Sequence, residues 1–171
     1  MNPAVVEANI ELALNSLVGT ADHPGPGRFL LAIDANERSL SHHLAIYLFP
    51  RFPQWDVDCE YNRDGIDDHK VLDLPARTQP TATDVDARTV FPDIIVHRRG
   101  QPGAANNLLV VEVKKSSNKN AAEFVYDRVK LRQFQREFGY QNAYLVVLNT
   151  DNTMATDFLI ERVSINFVAT M

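Results

Sequence analysis

The stretch FPDIIVHRRG at residues 91–100, followed by NNLLVVEVKKS at residues 106–116, decides both the fold and the chemistry of this chain. Each piece contains an apolar run of strand length, and the segment between them is rich in glycine and proline, which favours a turn. We therefore predict two strands, at residues 91–97 and 108–114, joined as an antiparallel hairpin.

This hairpin is predicted to bring two carboxylates together. Strand side chains alternate, so Glu112 and Lys114 project from the same face, and Asp93 lies across from Glu112. Adjacent carboxylates repel and are costly in an apolar sheet unless a positive charge lies between them, and Mg²⁺ prefers such oxygen ligands. The alternative is that Asp93 ends a turn while Glu112 and Lys114 form an exposed ion pair. The run LLVVEV favours the first interpretation, since it is typical of a strand covered on both faces.

The elements around the hairpin are predicted from periodicity and turn residues. The long helix after the hairpin, with Asn118 or Ser117 as its cap, groups four apolar residues on one face, namely Phe124, Leu131, Phe134 and Phe138. The other predictions are helices at residues 3–17 and 36–49, strands at 55–61 and 71–74, the long helix at 118–138, and strands at 143–148 and 158–167. In order, these elements describe an α/β protein with a central mixed sheet flanked by helices.

This arrangement resembles the PD-(D/E)XK nuclease superfamily, which includes many restriction endonucleases and Holliday-junction resolvases. The resemblance lies in Pro92-Asp93, in Glu112-Val113-Lys114 and in Glu37 on the preceding helix, and DRVKLRQF resembles the Asp-x-x-Lys-Leu pattern of some members. It implies a single restriction-endonuclease-like domain. The αβββαβ core would span residues 36–148, with an N-terminal helical extension at 1–35 and a C-terminal strand at 149–171.

The resemblance also implies an activity, a Mg²⁺- or Mn²⁺-dependent phosphodiesterase that cleaves nucleic acid, most often DNA. Asp93, Glu112 and the Val113 carbonyl would bind the metal, and Lys114 would hold or deprotonate the attacking water. Glu37 would complete the catalytic set. On the long helix, Asp127 and Gln135 are expected as accessory residues of the same site.

The charge distribution fits a polyanionic partner despite a net charge of -5. Residues 91–140 hold nine lysines and arginines against five acids, a net charge of +4, which leaves -9 for the rest of the chain. Five basic residues are expected to contact backbone phosphates: Arg98, Arg99, Lys115, Lys119 and Lys130. No export signal or membrane-length apolar run is visible, so a cytoplasmic location without membrane association is expected.

Two other classes of protein stay open at this stage. The first is a catalytically inactive nuclease-fold subunit that binds nucleic acid or a partner protein. The second is a protein-interaction module whose acidic part docks a basic partner, without metal. We also expect a two-fold homodimer, through apolar residues of the N-terminal helix (Val6, Ile10, Leu14 and Leu17) or through the last strand.

Overall fold

The structure, a computed structural model, describes residues 1–65, 68–72, 74 and 90–165. Its helices are α1 (Pro3–Val18), α2 (Gly27–Ala32), α3 (Glu37–Leu48) and α4 (Ala121–Glu137). Its strands are β1 (Asp56–Cys59), β2 (Arg63–Asp64), β3 (Asp68–His69), β4 (Ile94–His97), β5 (Asn107–Lys115), β6 (Asn142–Leu148) and β7 (Phe158–Val163).

Five strands form one mixed sheet in the order β1-β4-β5-β6-β7, while β2 and β3 pair separately. Neighbouring strands of the large sheet are antiparallel except β5 and β6, which are parallel. A parallel pair needs a crossover connection, and α4 provides it. The predicted mixed sheet flanked by helices is thus confirmed, and β7 forms one edge of it.

Strand β5 is covered on both faces, as the run LLVVEV predicts. Leu109, Val111 and Val113 belong to a core shared with α1 and α3. Val110 points the other way, into a second core formed with α4. Glu112 and Lys114 follow Val110 by two and four residues, so they lie on the same face of the strand and project toward α4.

Helix α1 lies against the sheet rather than outside it. It begins at an Asn2 cap, and its apolar residues Val6, Ile10, Leu14 and Leu17 are fully buried in the core shared with α3. The expectation that these four residues form a dimer interface is therefore wrong, because their own sheet already covers them.

Several element boundaries differ from the predictions. Helix α4 is capped by Asn120, whose side chain accepts the Ala122 N–H, and not by Asn118 or Ser117. Helix α2 was not predicted, since GPG at 25–27 indicated a loop. In the strand predicted at 71–74, the described residues lie outside the named strands. The last strand ends at Val163, and its predicted residues 166 and 167 fall outside the described part of the chain.

None of the helices in the described ranges combines the length and the apolar character needed to cross a membrane.

Candidate active site

The β4–β5 hairpin brings Asp93 and Glu112 together, as the alternation of side chains predicts. Ile94 pairs with Val111 in the antiparallel hairpin, so Asp93, which precedes Ile94, lies across from Glu112, which follows Val111. The Asp93 carboxylate accepts the Val113 N–H through Oδ2 at 2.7 Å, which fixes it against β5. Burial raises the pKa of Asp93, although the Lys130 ammonium and the Val113 N–H oppose this shift.

Glu112 is almost completely buried, and its carboxylate is held by Lys130 of α4. The Lys130 Nζ lies 2.9 Å from each carboxylate oxygen and also donates to the Phe91 carbonyl at 2.8 Å. The contact with Oε2 is a hydrogen bond, whereas the buried Oε1 has only the ion-pair contact and no hydrogen-bond partner among the described residues. Burial raises the pKa of Glu112 to about 8, and the neighbouring Asp93 and Asp127 carboxylates add to that effect.

Lys114 lies between two other carboxylates. Its Nζ is 3.0 Å from Asp127 Oδ2, on α4, and 3.1 Å from Glu37 Oε2, at the start of α3. Burial disfavours the ammonium, but Asp127 and Glu37 outweigh it and raise the pKa of Lys114 above its ordinary range. Lys114 is therefore a fixed cation that joins helices on opposite faces of the sheet.

The helix α4 contributes more to this cluster than sequence analysis indicated. Asp127 was expected only as an accessory residue, yet it is buried and bonded to Lys114. Lys130 was expected to contact phosphate, but it is enclosed beside Glu112 instead of lying on the surface. The sequence indicates that Asp127 and Lys130 act at one site, because they are three residues apart and residues at i and i+3 share one face of a helix. Gln135 is half-buried, and its Oε1 finds no hydrogen-bond partner among the described residues.

Within the described ranges, no three acidic, histidine or cysteine side chains stand close enough together to hold a metal ion in this arrangement. The two lysines separate the acids. The donor set nevertheless has the chemistry that a hard cation prefers, since it consists of carboxylate oxygens, and the buried Glu37 Oε1 lacks a hydrogen bond from the described residues. Glu112 Oε1 and Asp127 Oδ2 also lack a hydrogen bond there, but each lies 2.9–3.0 Å from a lysine Nζ.

The formal charges of the cluster also favour the binding of a cation. Four carboxylates (Asp93, Glu112, Asp127 and Glu37) face two ammonium groups, which leaves two negative charges when all six groups are ionised. Such an excess is costly unless it is neutralised. Protonation is one way, which the raised pKa values of Glu112 and Asp93 favour, and a divalent ion is the other.

A cleft of about 220 Å³ between α3 and the end of β1 meets this cluster at Asp93. Asp93 lines the cleft, together with Arg38, Ser41, His42, Cys59 and Glu60. Arg38 and Glu60 are paired at 2.5 Å across it. Burial raises the pKa of Cys59 to about 11, so this thiol is not a ready nucleophile.

The other four predicted phosphate contacts lie nearer the surface, and three of them have ion-pair partners. Lys115 is 3.0 Å from Asp34, Lys119 is 2.6 Å from Asp151, and Arg99 is 2.6 Å from Asp58. The exposed Arg98 has its guanidinium 5.0 Å from the centre of the Trp55 ring. A bound phosphate would have to exchange with the existing carboxylate partners.

Comparison of the chain with protein-family models, with curated proteins and with solved structures found no match. The nuclease resemblance therefore depends on the residues of the chain itself.

Proposed function

We propose that this protein is a divalent-metal-dependent nuclease that hydrolyses phosphodiester bonds in DNA. One observation carries the proposal. Asp93, immediately before β4, and Glu112, on the adjacent strand β5, form a carboxylate pair in which Glu112 is buried and Asp93 half-buried, with Lys114 two residues further along the face of β5 that carries Glu112. This is the juxtaposition that the nuclease resemblance requires, and it lies next to a cleft that Asp93 lines.

Asp93, Glu112 and the Val113 carbonyl are the groups that would hold the metal. When bound, a divalent ion would lower the pKa of a coordinated water and offset the charge that develops on phosphate. The surrounding residues already hold these metal-binding groups in place. The Val113 N–H orients the Asp93 carboxylate, and the sheet and α4 keep bulk water away from Glu112.

Lys114 would act as a cation rather than as a base. The carboxylates of Asp127 and Glu37 raise its pKa, so it keeps its proton at neutral pH. A protonated Lys114 can donate a hydrogen bond to the attacking water or to a phosphate oxygen, but it cannot accept the proton of that water. Asp127 and Glu37 are therefore positioning residues for Lys114.

An inactive nuclease-fold subunit is the second candidate. The specific observation in its favour is that Lys130 and Lys114 already form ion pairs with acids of the cluster. Such a protein would use internal ion pairs in place of a metal and would bind its partner elsewhere.

Metal binding separates the two candidates. Calorimetric titration with Mg²⁺ and Mn²⁺ should show one binding site, which is lost or strongly weakened in Asp93→Asn and in Glu112→Gln. Glu161→Gln is the matched control, because the Glu161 carboxylate, on β7, pairs with Arg128 of α4 and not with a lysine of the cluster. Wild-type protein that binds neither ion, or variants with unchanged affinity, would contradict the proposal.

A further inference from the structure

Lys130 has the contacts of a bound cation. Three oxygen atoms surround its Nζ at 2.8–2.9 Å, two from Glu112 and one from the Phe91 carbonyl. Asp93 and Asp127 also stabilise its charge, and together with Glu112 they raise the pKa of Lys130 against the effect of burial. The ammonium thus lies among the acids that the proposed function assigns to the metal.

The same contacts explain why no group of metal-ligating residues is assembled among the described residues. One carboxylate of the assigned pair, Glu112, is already bonded to an internal cation. An ammonium suits this position only in part, since the Glu112 Oε1 receives no hydrogen bond from it. Both Glu112 oxygens lie 2.9 Å from this ammonium, but only one of them accepts a hydrogen bond from it, so the carboxylate is able to exchange the ammonium for a cation of higher charge.

We propose that Lys130 is an internal substitute for the metal, and that its ammonium leaves Glu112 when a divalent cation binds there. This inference rests on the proposed function, since it concerns the same carboxylates. It adds a residue that sets the metal affinity of this protein and that moves on binding. The metal-free protein stays folded because the lysine neutralises its acids, at the expense of a weaker affinity for the ion.

The movement can be measured in the wild-type protein. Lysine acylation followed by mass spectrometry reports the accessibility of each amine with and without saturating Mg²⁺. Lys130 should be protected without the ion and be labelled at least about fivefold faster with it, since binding shifts the population to the displaced side chain. Lys114 is the buried control and Lys119, two-thirds exposed, is the surface control, and neither should change.

Affinity provides the second measurement. Lys130→Met should bind Mn²⁺ at least about tenfold more tightly than the wild type, because no ammonium has to be displaced. Lys114→Met removes an equal charge from the same cluster without freeing Glu112, so it should raise the affinity much less.

The outcomes separate the inference from the function on which it rests. Wild-type protein that binds Mg²⁺ or Mn²⁺ while Lys130 stays protected would overturn the inference and leave the metal site standing. Equal gains in affinity for Lys130→Met and Lys114→Met would overturn it too, since charge alone would then explain both. If neither ion binds to the wild type or to Lys130→Met, the proposed function fails and the inference fails with it.

Discussion

Burial disfavours the charged forms of both Glu112 and Lys114, which lie two residues apart on one strand face, but their charged partners differ. Burial raises the pKa of Glu112 to about 8, because its one ammonium partner is offset by two nearby carboxylates. Lys114 has two carboxylate partners, so its charged form is favoured. The environment thus creates a deficit of positive charge at Glu112, where the proposed metal would bind.

The Glu112 carboxyl should make stability depend on pH. A carboxyl whose pKa is raised by folding takes up a proton on folding, so it does not penalise the folded state below its ordinary value of 4.5. The penalty grows as the pH rises from there to about 8. Relative to Glu112→Gln, the metal-free wild type should lose up to about 1.4 kcal/mol of unfolding free energy per pH unit within this window.

Urea unfolding of both proteins between pH 4.5 and 8.5, in the presence of a chelator, measures this difference. Comparing the change with pH, rather than the absolute stabilities, removes any constant cost of leaving Lys130 without its partner. Parallel stability curves for the two proteins would show that Glu112 titrates normally.

At the scale of elements, an ion-pair cluster ties β1 to β4 and to the turn that follows it. His97 Nε2 lies 2.9 Å from Asp58 Oδ2, and the Arg99 guanidinium binds both oxygens of the same carboxylate. These contacts make His97 a hydrogen-bonded histidine of the sheet. This cluster belongs to the edge strand next to the cleft, so it keeps β1 in place beside Asp93.

Asp58→Asn should loosen this edge of the sheet. Burial opposes the charge of Asp58, but the bonds from His97 and Arg99 outweigh it and lower the pKa to about 2. Its contribution is therefore complete above the ordinary value of 3.8 and is lost as the pH falls toward 2. We expect a loss of about 1–3 kcal/mol at pH 7, which shrinks below pH 4.

Asp56→Asn is the matched control for this prediction. Its carboxylate faces the Arg99 guanidinium at 3.8 Å and is more exposed than that of Asp58, so the change should cost less than about 1 kcal/mol. Chemical denaturation at pH 7 and at pH 3 measures both variants. Equal losses for the two, or a loss for Asp58→Asn that does not depend on pH, would argue against the buried cluster.

The packing of elements also decides which contacts can be predicted from the sequence. Alternation and a single turn are local, so they were enough to predict that Asp93 lies across from Glu112. The contact of Lys130 with Glu112 depends on how α4 is rotated against the sheet, which tertiary packing decides. Helix α2 is not among the predicted elements, because the glycine and proline residues at 25–27 favour a loop, whereas Gly27 lies within the helix and packs closely against Leu17.

A local backbone conformation explains another difference. Side-chain alternation along the predicted strand at 55–61 places Tyr61 on the same face as Val57 and Cys59, but Tyr61 packs into the core on the α4 side. The chain changes direction at Glu60, whose φ of 49° lies in the left-handed region. Side-chain alternation cannot indicate a break of this kind.

On the scale of the whole molecule, the site lies where β4, β5, α3 and α4 meet. The basic segment at 91–140 supplies the hairpin and α4, but several of its cations are used internally, by Glu112, Asp127 and Asp58. A net charge of +4 in this segment therefore overstates the positive surface that a nucleic acid would meet. A homodimer stays a prediction, and with the apolar face of α1 buried, the edge strand β7 is the remaining candidate interface.

Metal-dependent cleavage of nucleic acid is the most direct test of the proposed nuclease activity. Purified protein is incubated with labelled single-stranded, duplex and branched DNA, in Mg²⁺, in Mn²⁺ and in chelator. We predict cleavage of at least one substrate that requires the metal and falls by several orders of magnitude in Asp93→Asn and in Lys114→Ala, after each variant has been shown to be folded. The account would be contradicted by a wild-type protein that cleaves none of the substrates with either ion, or by an activity that survives unchanged in folded Asp93→Asn.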